Sequence, residues 1–73
     1  MTGQKNKQLT RRESQVLRLI GDGKTSKEIA KVLGLSVETV GNHRRHICQK
    51  LDLHTTAALV AYAVRVTRPT AAD

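Results

Sequence analysis

Three helix-start signals follow one another closely in the first half of this chain, with glycines between them. Thr10 has Glu13 three residues on, and Thr25 has Glu28 at the same spacing. In each pair the hydroxyl can accept the amide of the later residue while the carboxylate reaches back to the amide of the threonine. Ser36 can cap a third helix, and Leu35 before it and Val40 after it are spaced as a hydrophobic staple that sets the entry angle. Gly21 and Gly23 end the first segment and Gly34 the second, since glycine takes the left-handed conformation of a helix stop without steric cost.

The apolar residues fit these boundaries. Val16, Leu17 and Ile20 make one face of the first segment, and Ile29, Ala30 and Leu33 make the stripe of the second. Val40, Ile47, Cys48 and Leu51 make the inner face of the third. After a break around Asp52 to His54, Thr55 or Thr56 can cap a fourth helix through Leu59, Tyr62 and Ala63 to about Val66. Phe and Trp are absent and Tyr62 is the one aromatic, so the core is aliphatic, which suits short interlocking helices rather than a β-barrel. The expected fold is all-α, a compact four-helix bundle containing a helix-turn-helix.

The basic, aperiodic stretch 1–8 reads as a linker or remnant, 9–66 as the folded domain and 67–73 as a frayed tail. At 73 residues there is room for one domain with a modest core. Cys48 is the only cysteine, which excludes a disulfide framework within the chain and makes a reducing cytoplasm the expected compartment. The sequence has no apolar run of membrane-spanning length, and MTGQKNKQ has no secretory apolar stretch.

A formal charge of +7 points to a polyanionic partner. Two short helices joined at Gly34 form the pattern in which the second helix is held out toward DNA, and small Ala30 allows the pair to cross closely. On the third helix, about Val37 to Leu51, the side opposite Val40, Ile47 and Leu51 carries Glu38, Asn42, Arg45 and Gln49. Asn42 can pair with adenine and Arg45 with guanine, one turn apart, and Gly41 lets the backbone approach a phosphate or a thymine methyl. Lys24, Lys27, Arg44 and Lys50, with the hydroxyls of Thr25, Ser36 and Thr39, can meet phosphates beside the positive ends of the second and third helices. His43 can bond a phosphate or a helix end.

The segments LTRRESQVLRLI, GKTSKEIAKVLGLSVETV, NHRRHICQKL and LHTTAALVAYAVR together resemble the LuxR/NarL-type (GerE-like) domain over nearly the whole ordered region. The resemblance rests on Leu9-Thr10-Arg11-Arg12-Glu13, on Lys27-Glu28-Ile29-Ala30, and on Thr39-Val40 with His43. It implies a four-helix DNA-binding output domain at the C-terminal end of a bacterial transcription regulator of response-regulator or ligand-sensing type. It also implies base contacts at the positions of Asn42 and Arg45, and a fourth helix that pairs two protomers on double-stranded DNA. RNA polymerase is a further partner that such a domain could meet. The chain departs from the family at Gly41, where members often carry a long side chain, and at Thr55-Thr56 from those members with Arg just before the fourth helix.

Other signals lead elsewhere. Gly23-Lys24-Thr25 ends like a phosphate-binding loop, but the required earlier glycine is Arg18, with no strand before it. His43 and His46 share a helix without a carboxylate or thiol at helical spacing, so no metal or other cofactor is expected. Cys48 reads as inner-face packing. Glu13 is explained by its cap and by an ion pair with a basic residue of the third helix, and the sequence has no nucleophile, base and orienting group at catalytic spacing, so no enzyme is expected. On the fourth helix, Ala57, Val60, Ala61 and Val64 are read as a dimer seam, because three short helices cannot cover every side of a fourth. The competing functions are a promoter-reading domain like that of a sigma factor, and a protein-interaction module built on the fourth helix.

Overall fold

Each start signal becomes a helix in the computed structural model, which describes residues 9–67. The order is α1 (Arg11–Gly21), α2 (Ser26–Leu33), α3 (Val37–Leu51) and α4 (Thr56–Thr67), with no strand among the described residues. The stretches 1–8 and 68–73, expected to be linker and tail, lie outside the described residues. Thr67, assigned to the tail, instead closes α4.

Both capping boxes are complete. The amide of Glu13 donates to Thr10 Oγ1 at 3.0 Å and the amide of Thr10 to Glu13 Oε1 at 3.0 Å. The Thr25 and Glu28 pair repeats this, with the Glu28 amide donating to Thr25 Oγ1 at 3.1 Å and the Thr25 amide to Glu28 Oε1 at 2.8 Å. Ser36 Oγ accepts the Thr39 amide at 3.0 Å. Between the alternatives for α4, Thr55 is the cap, its hydroxyl accepting the Ala58 amide at 3.0 Å.

The glycine stops divide into two kinds. Gly34 has φ +69 and leaves α2 in the left-handed conformation, and the Leu35 amide donates back to the Ala30 carbonyl at 2.8 Å. Gly23 likewise has φ +89. Gly21 is still helical, which corrects its reading as a conformational stop. A methyl group there would lie 2.6 Å from the Ala63 carbonyl oxygen and 2.5 Å from Thr67 Oγ1, so Gly21 is where α4 crosses close against α1.

Helix α1 is the hub, packing most extensively on α4, then on α3, and least on α2, while α2 packs on α3. The core at their meeting has Val16, Ile29, Val40, Ile47 and Leu59 as its largest fully buried side chains. Leu35, Cys48, Leu51 and Tyr62 pack around it half-buried. Since α4 makes substantial contact with α1 alone, one of its sides is left open. Among the described residues no helix is long and apolar enough to cross a membrane.

Candidate nucleic-acid interface

The left-handed turn at Gly34 projects α3 from the body, and two fully buried residues, Val40 and Ile47, hold its inner side. The side opposite is open: Glu38, Asn42, Arg45 and Gln49 are all exposed. The stripe read from the sequence is therefore one surface. Gly41 lies at its edge, half-buried, and a methyl group there would meet nothing within 4 Å beyond its own helix backbone.

Around the stripe, Lys24, Thr25, Lys27 and Ser36 are exposed, while Thr39, His43 and Arg44 are half-buried. Ser36 donates its hydroxyl proton to Thr39 Oγ1 at 2.9 Å, which leaves the Thr39 proton as the one that can serve an outside acceptor. His43 Nδ1 is buried and finds no partner among the described residues. Among those residues no group of three or more His, Cys, Asp or Glu is arranged to hold a metal ion.

Lys50 is placed differently from the other cations. Its Nζ donates to Glu13 Oε1 at 2.7 Å, across thirty-seven positions of sequence, so it ties the end of α3 to the start of α1. Glu13 is 4 % exposed. His46 Nδ1 stands 3.8 Å from the other carboxylate oxygen. Burial pushes the Glu13 carboxyl up, but the hydrogen bonds from Lys50 and the Thr10 amide and the Lys50 charge outweigh it and hold the group below its ordinary 4.5. The ion pair expected between Glu13 and the third helix is thus identified, and it engages the ammonium that the sequence reading assigned to phosphate.

On α4, Ala57, Val60 and Ala61 are exposed and Val64 half-buried, while Leu59 and Ala63 face the core. The sequence reading did not single out Val37, a large apolar side chain 48 % exposed in the first turn of α3. Its signal was present, because it falls outside the spacing of Val40, Ile47 and Leu51.

The sequence profile of the bacterial regulatory proteins of the luxR family matches residues 7–63. The chain belongs to that family. Luxr-family domains are DNA-binding modules of transcription regulation, and the four-helix fold agrees with this. Over 59 residues, 81 % of this chain, the LuxR-family domain is 54 % identical to the uncharacterized response regulatory protein YgeK of Escherichia coli, matching 40 % of that protein. It is 45 % identical over 77 % of its length to the transcriptional regulatory protein MctR of Rhizobium johnstonii, matching 26 % of it. It is 47 % identical over 78 % of its length to the oxygen regulatory protein NreC of Staphylococcus carnosus, again matching 26 %. The LuxR-family domain therefore spans between about a quarter and two-fifths of these relatives. No solved structure matches it.

Proposed function

We propose that this domain is the output module of a bacterial transcription regulator and binds double-stranded DNA in a sequence-specific way, with α3 in the major groove. The observation that carries the reading is the two-sidedness of α3: Val40 and Ile47 are fully buried, and an amide and a guanidinium, Asn42 and Arg45, stand free on the far side. Asn42 reads adenine and Arg45 reads guanine, each through paired hydrogen bonds to a base edge. Gly41 allows close approach of the backbone beside them.

Lys24, Lys27 and Arg44, with the hydroxyls of Thr25, Ser36 and Thr39, hold the phosphates and fix the register. The caps on α2 and α3 use the amides of Glu28 and Thr39, and the amides preceding these in each first turn have no helical partner to lose to a phosphate. His43 serves a phosphate only through the ring nitrogen opposite its buried Nδ1. Lys50 is set apart from this group, since its ammonium already serves the buried Glu13 carboxylate and only its remaining donors could meet a phosphate. Response regulation appears in the name of one relative, which supports a role downstream of a receiver. Two copies joined through α4 would read a two-fold-related site.

Selection from a random duplex pool, followed by titration of the selected site at two salt concentrations, tests the proposal. Arg45→Ala should weaken binding by about 1–3 kcal/mol and relax preference at one base pair, whereas Lys27→Ala should weaken all sequences alike and lower the salt slope. Unchanged affinity and unchanged base preference in Arg45→Ala would remove Arg45 from the reading. Absence of any binding at low salt would favour the protein-interaction function.

A further inference from the structure

A glycine inside a helix costs stability relative to alanine, and it is usually explained by a left-handed backbone or a close neighbour. Gly41 has neither. It lies in the interior of α3 with an ordinary helical backbone, and a methyl group placed on it would touch nothing within 4 Å beyond that backbone. The fold places no steric demand on position 41, so the missing side chain counts only toward what binds the helix.

The neighbours of this gap define its chemistry. Val37, Gly41 and Arg45 form one row at intervals of four residues, so Val37 stands one turn before the gap and Arg45 one turn after it. Val37 is 48 % exposed, an apolar side chain at the open edge of a helix whose other exposed residues, Glu38, Asn42, Arg45, His46 and Gln49, are polar. The row is a notch with an aliphatic wall at one end, a bare backbone floor, and a guanidinium at the other end. In the major groove, the one apolar group that a base presents is the C5-methyl of thymine.

We infer that Val37 and Gly41 together form a thymine-methyl pocket, making Val37 a specificity-determining residue. The inference rests on α3 lying in the major groove. At 1.5 Å of rise per residue, Val37 and Arg45 are about 12 Å apart along the helix, which places the thymine within about four base pairs of the guanine that Arg45 reads. The pocket senses one methyl group and is indifferent to the hydrogen-bonding edge of the base.

The test replaces each thymine of the selected site, one at a time, by deoxyuridine, which differs only in lacking the methyl. One position within that distance of the Arg45 contact should lose about three- to tenfold in affinity. Val37→Ser, a change on the solvent side of the helix, should bind the thymine and deoxyuridine duplexes equally. Gly41→Ala should raise the melting temperature while weakening the thymine duplex more than the deoxyuridine one. Sequence-specific binding in which no thymine methyl matters, a selected site without thymine there, or a Val37→Ser chain that keeps the methyl preference would overturn the pocket and leave the major-groove reading intact. Failure to select any sequence would overturn both.

Discussion

At the residue scale, the glycines show how one residue type answers different demands. Gly34 is needed for its backbone: at φ +69 a side chain is strained, although the space around it is open. Gly21 is needed for space: its backbone is helical, and a methyl would meet the Ala63 carbonyl at 2.6 Å. Gly34→Ala should therefore cost about 1–2 kcal/mol, the usual difference for a left-handed residue. Gly21→Ala should cost about 1–3 kcal/mol by forcing α1 and α4 apart. Thermal unfolding gives both numbers, and a second measurement separates their causes. Gly21→Ala should alter amide protection along α4, whereas the effect of Gly34→Ala should be confined to the α2–α3 turn. Equal disturbance of α4 in both variants would contradict this division.

At the scale of elements, what could be read from the sequence was whatever is settled within one turn of helix. Thr10 with Glu13 and Thr25 with Glu28 are contacts between near neighbours, as is the cap at Ser36, so spacing revealed them directly. The outward stripe of α3 was legible for the same reason, since its period follows from helix geometry. Gly21 was misread because its neighbour, Thr67, comes from the far end of the chain. That Glu13 pairs with a cation of the third helix was legible, but not which one, because nothing local reveals that Lys50 lies beside the start of α1. That tie between α1 and α3 makes stability depend on pH. The folded pKa of Glu13 lies below its ordinary 4.5, so as pH falls the unfolded chain takes up the proton first. The contribution of Glu13 is fully present above about pH 4.5 and is lost as pH drops through the lower folded value. Glu13→Gln should lower stability at neutral pH by about 1.5–3 kcal/mol, the usual worth of a hydrogen bond to a charged group, and flatten the acid limb of the stability curve. Melting temperatures from pH 3 to pH 7 measure this, and an unchanged acid limb in the variant would mean that other carboxylates govern it.

At the scale of the whole molecule, the uneven packing of the helices bears on assembly. Helix α4 rests on α1 through Leu59 and Ala63, and its far side presents Ala57, Val60 and Ala61 to solvent. Two such faces meeting across a two-fold axis would form a self-complementary contact, and the alanines would let the helix backbones come close. A contact of one helix face per protomer would be small beside what a permanent dimer in solution buries. The charge of +7 on each copy also opposes association until phosphates offset it. If α4 pairs protomers as proposed, both effects favour pairing on the DNA, where binding of the first copy raises the local concentration of the second. Ala61→Glu should therefore leave the melting temperature and the affinity for a single half-site nearly unchanged, since its side chain lies outside the core. On a duplex with two half-sites it should remove cooperativity and weaken binding about tenfold, as a carboxylate would face its own copy across the axis. Anisotropy titrations on one and two half-sites, with sedimentation of the free protein, distinguish the possibilities. Cooperativity that survives in Ala61→Glu would move the contact between protomers away from α4, whereas its loss together with a lower melting temperature would mean that the substitution acted through the fold.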